Sequence, residues 1–440
     1  MASVVAGWLV LVPSATAITV GVNSDITWGV PSSQISHEIS LTTAAGVKWI
    51  RASVDLSQAA PNSADQLDSA YLAQIDSEVG VARAAGLNVL LEFDRAPYWA
   101  SADPSKYSDA AGKHWNRYWR YADPRDYGAI VAALARHYSG LGINAFELWN
   151  EPNNPSFWPS GPNASQYTEL LKASYRAINA ADPSATVVLG GLSNKGSYAF
   201  LQGMYAAGAR GWFDVANFHI YPEGNPTSCL SVNGRPYEGS FCVLDGLRSV
   251  MSTYGDRSPV WVSELGWSTC TGSSYCYSQQ EQASYLTSAF QMLDQGQYSW
   301  VTAAFVYQMR DLYWDTANVD WESSLGLLDR NFAPKPAYAA LKAVATREAQ
   351  KRGLIRVRAL AAATARTRVR RKHRPARSHH RRPSSVDSTG DRWHSSTRTK
   401  SPHRSISAVH SSPRSRHRRN VRLRRHHGHH RHRLKPRTHR

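Results

Sequence analysis

The segment AFELWNEP, residues 145–152, joins an apolar run to an acid that is followed by proline. A strand interior tolerates neither an unpaired charge nor a proline, so we expect Glu151 and Pro152 where a buried strand opens into a loop. A carboxyl group in that place faces a cleft and is available for chemistry. The same pair also suits an ordinary turn, because X-Pro dipeptides commonly mark the ends of strands.

Seven other short, β-rich apolar runs accompany this one, and segments with helical spacing separate them. The eight runs cover residues 18–22, 47–54, 87–93, 143–149, 186–191, 213–221, 259–265 and 301–307. They predict an α/β fold, the (β/α)8 TIM barrel, whose strands are almost continuously apolar because both of their faces are buried. A doubly wound open sheet is the alternative, but no glycine-rich phosphate loop follows the first strand.

The positive charge of the chain is concentrated at its C-terminal end. Residues 351–440 contain 29 of the 51 Lys and Arg residues but only two of the 33 acidic residues, so the first 350 residues carry a net −9. We predict that residues 346–440 form a disordered basic tail, because they hold too few large apolar residues to offset the entropy of ordering. Its charge suits an acidic cell-wall polymer or another polyanion. A solvated appendage without a partner, or an out-of-frame translation of a linker, is the alternative.

The first 17 residues, MASVVAGWLVLVPSATA, form an apolar run that ends in the small residues Ala15, Thr16 and Ala17. This pattern is typical of a signal peptide, although no Lys or Arg precedes the run. The run is too short to span a bilayer, and no other stretch approaches the ~18 apolar residues of a transmembrane helix. The sequence therefore predicts a secreted or cell-surface protein with a catalytic domain over residues 18–345.

Four cysteines lie within 48 residues of one another: Cys229, Cys242, Cys270 and Cys276. An even number confined to one region of an exported protein predicts two disulfides. Of the three possible connectivities, Cys229 to Cys242 and Cys270 to Cys276 is favoured, because these pairs close two short loops. A zinc site is the alternative, but the spacings Cys-x5-Cys and Cys-x12-Cys are poor for zinc, and no metal is expected.

A second acid, Glu264 in VWVSELGWST, ends the seventh apolar run. Active sites of TIM barrels lie at the C-terminal ends of the strands, so Glu151 and Glu264 are expected on one rim. Two carboxyl groups there, flanked by aromatic residues, indicate cleavage of a glycosidic bond: one protonates the leaving oxygen and the other attacks or activates water. This chemistry needs no cofactor.

The segments around these acids resemble the clan A retaining glycoside hydrolases. The similarity is carried by FELWNEPNNPSFWPSGPNASQYTELLKASYRAINAADPSATVVLGGLS, VWVSELGWST and SLGLLDRNFAPKPAYAAL, and it extends from about residue 18 to about residue 345. It is strongest to the family 39-like enzymes that include bacterial exopolysaccharide endoglycosidases, and weaker to family 5 cellulases.

The resemblance implies a double displacement with Glu151 as general acid/base and Glu264 as nucleophile. Asn150 matches the asparagine of the clan that binds the sugar 2-hydroxyl, and Arg51 matches an arginine that pairs with the nucleophile. His219 and Tyr221 match positions where the clan keeps polar groups near the nucleophile. A nucleophile must stay ionised near neutral pH, whereas the acid must be protonated when substrate binds. We therefore expect a low pKa for the nucleophile and a raised pKa for the acid.

Two regions depart from the family 5 pattern, which usually has a histidine after strand 3 and a tryptophan after strand 8. This chain has LEFDRAPYWA and FVYQMRDLYW there. The missing sugar contacts are therefore assigned to Trp99, Tyr307 or Trp314.

Aromatic residues crowd the expected loop side and, stacked against pyranose rings, would form the floor of an extended cleft. They are Trp99, Trp115, Trp119, Trp158, Trp267, Trp314 and Trp321. Trp158 and Trp267 are favoured because they follow the catalytic strands directly. Loops over residues 95–123 and 222–242 are long enough to wall such a cleft, which predicts an endo-acting hydrolase with a polysaccharide substrate.

Four other acids are weighed as site residues: Glu92, Asp94, Glu147 and Glu223. Glu147 is expected to face the barrel wall, away from the rim, whereas Glu92 and Asp94 end the third strand and are placed to bind sugar hydroxyls. Two other functions stay open: a carbohydrate-binding barrel without turnover, and a polyanion-binding protein that acts through its tail. The sequence does not fix the sugar, the linkage or the oligomeric state.

Overall fold

The computed structural model of the chain describes residues 17–107, 118–312 and 320–372. Residues 1–16 of the predicted signal peptide and residues 373–440 of the predicted tail lie outside the described residues. So do Trp115 and Trp314, two of the aromatic residues that were assigned to the cleft.

Ten strands occur in the described part of the chain, and eight of them form one parallel sheet. In chain order they are β1 Thr19–Asn23, β2 Trp49–Asp55, β3 Asn88–Asp94, β4 Ala145–Leu148, β5 Thr186–Leu189, β6 Ala216–Ile220, β7 Ser231–Val232, β8 Arg235–Pro236, β9 Val260–Leu265 and β10 Val301–Val306. The strand order is β5-β4-β3-β2-β1-β10-β9-β6, with β7 and β8 in a separate antiparallel pair. Parallel bridges from Val188 to Val215 and from Leu192 to Phe218 join the two outer strands and close the barrel. The predicted (β/α)8 barrel is confirmed, and each predicted apolar run overlaps one of its strands, with β1, β2 and β3 each ending one residue later than predicted.

Nine α-helices accompany the strands in the described residues. They are α1 Ser32–Ala44, α2 Leu56–Ala59, α3 Ser69–Ala84, α4 Pro124–Ser139, α5 Ala164–Ala181, α6 Ser197–Ala206, α7 Val243–Thr253, α8 Gln279–Leu293 and α9 Pro336–Lys372. Several helices begin at polar caps, because a side-chain oxygen there accepts backbone N–H groups that the first turn leaves unpaired. Asp68 caps α3 in this way, and Ser278 forms a capping box with Glu281 at the start of α8.

The last helix is longer than the sequence analysis predicted. Residues 346–372, which were assigned to the disordered tail, belong to α9. This stretch is rich in alanine and arginine, which are strong helix formers, and it contains no proline; the next proline along the chain is Pro375. Local helix propensity therefore continues the helix into a segment that has few large apolar residues. The predicted start of the disordered tail at residue 346 is too early, because α9 ends at Lys372.

The barrel interior is apolar near the N-terminal ends of the strands. One cluster of buried residues fills this layer: Leu90, Ala145, Val188, Val215, Ala303 and Phe305. Gly21 on β1 admits the Phe305 ring, because a Cβ atom at residue 21 would lie 2.2 Å from Phe305 Cδ1. This layer supports a second layer above it, which is polar.

An irregularity in β9 shapes the polar layer. Phe218 pairs with Val262 and His219 pairs with Glu264, so Ser263 is an extra residue in the pairing of β9 with β6. Such a bulge re-aims the side chains that follow it. Ser263 and Glu264 are neighbours in sequence, yet both contact side chains inside the barrel. The bulge thus turns Glu264 toward the site.

Both predicted disulfides are confirmed. Cys229 is bonded to Cys242 and Cys270 to Cys276, with Cα–Cα distances of 5.5 and 4.9 Å. The first closes the loop that carries β7 and β8, and the second closes the loop that follows β9. Each therefore ties down a loop at the C-terminal rim of the barrel. Among the described helices, none is long and apolar enough to cross a membrane.

Candidate active site

Glu151 lies just beyond β4, where the backbone turns sharply out of the strand. Trp149 has φ 78° and Glu151 has φ 41°, both in the left-handed region that side-chain-bearing residues avoid. Strain of this kind persists only where the surroundings impose it, and it collects at functional sites. The turn places the Glu151 carboxyl on the rim, where its side chain remains 9% exposed.

His219 on β6 lies between the two predicted catalytic acids. Its Nδ1 atom is 3.0 Å from Glu151 Oε1 and 3.3 Å from Glu264 Oε2, and the oxygens of the two acids lie within 4.8 Å of each other. On the other side of the ring, Nε2 is 3.0 Å from Ser263 Oγ. The structure therefore brings Glu151, Glu264 and His219 together, as the sequence predicted.

Arg51 donates hydrogen bonds to groups on three sides of the site. Its Nη1 donates to Glu264 Oε1 at 2.9 Å and to Asn23 Oδ1 at 3.1 Å, and its Nη2 donates to Asn150 Oδ1 at 3.0 Å. Arg51 is the third residue of β2 rather than its last, so it reaches the acids from inside the barrel. The predicted pairing of Arg51 with Glu264 is present.

Glu147 is also inside the barrel, which corrects the prediction that it faces the wall. It accepts two hydrogen bonds from Arg51, from Nε at 2.7 Å and from Nη2 at 3.0 Å, and it is fully buried. Residues an even number apart on a strand share a face, so Glu147 points to the same side as Ala145 below it. The strand period alone could have found this residue.

The electrostatics of the two inner groups are dominated by their partners. Burial raises the pKa of Glu147, but Arg51 and the hydrogen bond to His219 outweigh it and bring the pKa to about 2. Burial lowers the pKa of His219, but Glu264, Glu147 and Glu151 raise it to about 9. At neutral pH the carboxylate of Glu147 is ionised and the imidazole of His219 is protonated.

The Glu264 carboxyl does not have the low pKa expected of a nucleophile. Burial raises its pKa and repulsion from Glu151 adds to this, while His219 and Arg51 lower it. The Tyr221 hydroxyl donates to Glu264 Oε2 at 2.5 Å and also favours the ionised form. Three donors thus oppose the effect of burial.

Two asparagines hold the loop that carries Glu151. Asn154 Nδ2 donates to Glu151 Oε2 at 2.6 Å. Asn153, which is buried, accepts from the Ser193 amide at 2.9 Å and donates to the carbonyl of Lys195 at 3.0 Å, and so joins this loop to the one after β5. The sequence analysis missed both residues. Their position just after Asn-Glu-Pro was the only signal.

A cleft of ≈470 Å³ opens beside Glu151. Its wall includes six aromatic residues: Tyr221, Tyr237, Trp267, Tyr275, Tyr277 and Trp321. Of the two predicted loop walls, residues 222–242 contribute through Tyr237, whereas no described residue of 95–123 lines this cleft. Tyr275 belongs to a loop that was not predicted as a wall, the one closed by Cys270 and Cys276. The cleft has the size and lining of a site for sugar rings.

The predicted aromatic contacts fall into two groups. Trp267 and Trp321 line the cleft, and the Trp321 ring lies 5.0 Å from that of Tyr221. Tyr307 directly follows the barrel strand β10, and its ring lies 6.1 Å from that of Tyr221. Tyr307 and Trp321 thus pack around Tyr221, which bonds Glu264.

Trp158 was predicted to form part of the cleft floor, and this prediction is wrong. It is 1% exposed and packs edge-on against Trp149 and Tyr167, with ring centroids 5.4 and 6.2 Å away. The chain turns back toward α5 after Glu151, so this ring faces the helix layer. Trp99 is half-buried, and its Nε1 donates to the Ala60 carbonyl at 2.8 Å; it does not line the cleft beside Glu151.

Three further acids surround the pair. Burial raises the pKa of Glu92 well above its ordinary value, with repulsion from Asp94 as the next cause, and raises the pKa of Asp94 to about 6. Both are buried, so the sequence prediction that they bind sugar hydroxyls has little exposed surface to act through. Glu322 was not identified from the sequence. The residue as a whole is exposed. Protein atoms surround its carboxyl group, however, and this burial together with repulsion from Glu264 raises its pKa to about 7.

Glu151, His219 and Glu264 also have the spacing of a metal site, since one donor atom from each lies within 4.8 Å of the others. The chemistry of this donor set fits a metal poorly. With a pKa raised to about 9, His219 is protonated at neutral pH and has no lone pair to give.

Gly191 supports His219 from behind. A Cβ atom at residue 191 would lie 2.0 Å from His219 Nε2, so we expect Gly191→Ala to displace the imidazole from the two acids and lower kcat/KM by about 100-fold or more. The measurement is the steady-state rate, with Gly80→Ala as a matched control, because Gly80 in α3 has nothing within 4 Å of such a Cβ. Equal rates for the two variants would refute a positional role for His219.

The chain matches the family model described as Cellulase (glycosyl hydrolase family 5) over residues 14–308. It is also 33% identical over 89 residues to a beta-xylosidase of Geobacillus stearothermophilus, a match that covers 18% of each chain. Among solved structures it is similar to a family 39 glycoside hydrolase of Bacteroides cellulosilyticus WH2, with a TM-score of 0.56 and 21% identity over 76% of this chain and 64% of that one. The family 39 enzyme of Xanthomonas axonopodis pv. citri gives a TM-score of 0.55 and 18% identity, over 74% of this chain and 65% of the other. The chain thus spans less than two thirds of these proteins, and the structural matches show the fold.

Proposed function

Because the chain belongs to the cellulase family of clan A glycoside hydrolases (glycosyl hydrolase family 5), we propose that it cleaves a β-linked polysaccharide by double displacement, with retention of configuration. The observation that carries this proposal is the placement of Glu151 and Glu264 on either side of His219, with oxygens within 4.8 Å of each other. Retaining glycosidases separate their two carboxyls by about 5–5.5 Å, whereas inverting enzymes need about 6.5–9.5 Å to admit a water molecule.

Glu264 is the proposed nucleophile. Arg51, His219 and Tyr221 each place a donor on its carboxylate, which orients the group and favours the charged form that attacks. Attack on the anomeric carbon forms a glycosyl ester with Glu264 as the bond to the leaving oxygen breaks.

Glu151 is the proposed general acid and base. It lines the aromatic cleft, so its carboxyl faces the side on which a leaving sugar would lie. It gives its proton to the leaving oxygen in the first step. In the second step it takes a proton from water, whose oxygen attacks the anomeric carbon and releases Glu264.

An endo-acting mode is supported by a second cleft on the same rim. This cleft, of ≈420 Å³, lies at the ends of β1–β3 and is lined by Trp28, Asp55, Tyr71 and Arg95, among others. Trp28 there and Tyr275 in the first cleft are exposed aromatic residues, 37% and 48%. Space on both sides of the rim suits a polymer chain that extends past the acids in both directions.

Export is part of the proposal. Two disulfides support an oxidising environment, because such bonds persist in secreted and cell-surface proteins and are rare in a reducing cytosol. The basic stretch after residue 350 suits retention on an acidic cell-wall polymer.

The proposal is tested by incubating the full chain with β-1,4-glucan, xylan, β-1,4-mannan and bacterial exopolysaccharides. Reducing-end release identifies the substrate, and ¹H NMR identifies the anomer that forms first. We expect the β-anomer first, together with a fall in viscosity that precedes most of the sugar release. An α-anomer first would mean inversion, and no release from any polymer by the folded chain would contradict a hydrolase.

Tyr275 provides a test of the polymer-binding cleft. We expect Tyr275→Ala to lower kcat/KM for the polymer by about five- to tenfold through loss of ring stacking, with little change for a 4-nitrophenyl glycoside. Tyr254→Ala is the matched control, because Tyr254 is a similarly exposed tyrosine at the end of α7, away from the rim. A loss of the same size on both substrates would argue against a polymer subsite at Tyr275.

A further inference from the structure

The catalytic centre contains more buried charge than the double displacement uses. We infer that Glu147 is a fixed anion that sets the charge of this centre, so that only one of Glu151 and Glu264 is ionised at a time. Glu147 acts through Arg51 and His219 and is therefore a positioning residue. The inference rests on the proposed double displacement.

Two cations are held in place at the centre. The guanidinium of Arg51 is charged at every working pH, and all of its nitrogens donate to carboxylate or amide oxygens of the site. His219 meets acceptors at both ring nitrogens, because Nδ1 faces Glu151 and Glu264 while Nε2 faces Ser263 Oγ and lies 3.6 Å from Glu147 Oε1. Only an imidazolium donates from both nitrogens.

Glu147 is the anion that stays. Besides the two bonds from Arg51, its Oε1 accepts from the Gly191 amide at 3.0 Å and from Ser263 Oγ at 3.4 Å. The residue is completely buried and touches neither cleft, so no substrate atom reaches it. Its charge is therefore the same throughout a catalytic cycle.

The count of charges then limits the two catalytic acids. Two cations and one fixed anion leave a net charge of +1, and one further negative charge makes this buried region neutral. The proposed double displacement places that charge on Glu264, whose carboxylate faces Arg51, His219 and Tyr221, at the step in which Glu151 gives a proton to the leaving oxygen. Because net charge is costly to bury, the state with both acids ionised is disfavoured.

The same count of charges explains why Glu151 acts first as an acid and then as a base. Once Glu264 carries the sugar as an ester, it is neutral, and Glu151 has given its proton to the leaving group. The single mobile negative charge is now on Glu151, which the same two cations stabilise until it takes a proton from water. The centre is neutral in both halves of the cycle.

Other titratable groups face the cluster, and one of them, Asp94, has a pKa raised to about 6 and titrates at mildly acidic pH in every variant compared below. They are Glu92, Asp94, Arg95, Tyr221, Tyr307 and Glu322. Burial raises the pKa of Glu92, Tyr221 and Tyr307, which keeps them neutral. Asp94 and Arg95 pair with each other at 2.7 Å. Glu322 titrates near pH 7, so Glu322→Gln is used as the background for the measurements below.

The test is the pH profile of kcat/KM on the polymer that the wild-type chain cleaves. Glu147→Gln removes the fixed anion, so the remaining carboxylates are easier to ionise. The acidic and the basic limb of the bell-shaped pH profile are therefore both expected to move to lower pH by about one unit or more. His219→Asn keeps a donor but removes a cation, so both limbs are expected to move to higher pH. Ser263→Ala, which breaks hydrogen bonds without a change of charge, is expected to leave the limbs in place.

Opposite movements support the inference. Two results would overturn it. In the first, Glu147→Gln is slower but the limbs of its pH profile do not move; in the second, they move in the same direction as those of His219→Asn. A structural role alone lowers the rate without moving the limbs in opposite directions.

A second measurement does not depend on activity or on the folding of Glu147→Gln. ¹⁵N NMR of the histidine-labelled wild-type chain, with the His219 signals assigned by subtraction of the His219→Asn spectrum, reports both ring nitrogens. We expect His219 to stay protonated up to about pH 9. A neutral His219 at pH 7 would overturn the charge count, whereas a protonated His219 in a chain that cleaves no glycoside would sink the proposed function and leave the count standing.

Discussion

Replacing Glu264 by alanine is expected to lower kcat/KM for the polysaccharide by about 10⁴- to 10⁶-fold, because the variant has no group to attack the anomeric carbon. The cavity left by the side chain admits a small anion beside Arg51 and Tyr221, which still present their donors. Azide should therefore restore turnover of an activated aryl β-glycoside. Because azide then displaces the leaving group in a single step, the product is the α-glycosyl azide.

Glu223→Ala is the control for this variant, since Glu223 is another acid on the cleft wall. We expect its rate to stay within about threefold of the wild-type rate, because the Glu223 carboxylate accepts from the Tyr237 hydroxyl at the wall. Full activity of Glu264→Ala would remove Glu264 from the mechanism. A β-glycosyl azide from this variant would assign Glu264 the other role.

Replacing Glu151 by alanine is expected to lower the rate on the polymer by about 10²- to 10⁴-fold, because the leaving oxygen then departs without a proton. The loss should be much smaller for the formation of the intermediate from a 2,4-dinitrophenyl glycoside, whose leaving group needs no protonation. A burst of dinitrophenol followed by slow turnover is the signature, because water then lacks its base.

Azide distinguishes the two acids. In Glu151→Ala it attacks the glycosyl ester on Glu264 from the face that water uses, so the product is the β-glycosyl azide, the opposite of that from Glu264→Ala. The measurement is NMR of the isolated azides. Loss of rate that is equal for the polymer and the dinitrophenyl glycoside would contradict a proton-transfer role for Glu151.

The sequence was informative wherever a pattern was local. Barrel strands are buried on both faces, so each appears as a continuous apolar run, and all eight could be located from this property. The two disulfides followed from the short loops that they close. Glu151 and Glu264 were identified because both acids end such runs, and strand ends of one barrel meet on one rim.

Features that depend on pairing between distant segments could not be predicted. The bulge at Ser263 is an offset between β9 and β6, and no residue type at that position signals it. The bidentate pairing of Arg51 with Glu147 joins residues 96 positions apart. No local pattern places a second carboxylate on Arg51, so the buried charge of the site was underestimated.

Side-chain direction beyond a strand end was equally out of reach. Trp158 and Trp267 both follow catalytic strands closely, yet Trp158 packs under α5 and Trp267 lines the cleft. The difference arises in the loops, where the left-handed residues Trp149 and Glu151 reverse the chain. Periodicity arguments end where regular structure ends.

Trapping the intermediate shows whether Glu264 forms a covalent bond to the sugar. The wild-type chain is incubated with 2-deoxy-2-fluoro-β-glucosyl, xylosyl and mannosyl fluorides, and the protein is digested with pepsin and sequenced by mass spectrometry. We expect that one of these reagents adds a single fluorosugar to Glu264 and stops turnover, and that the label is absent from Glu264→Gln. A label on Glu151 or on another residue, or continued turnover of the reagents without any label, would contradict it.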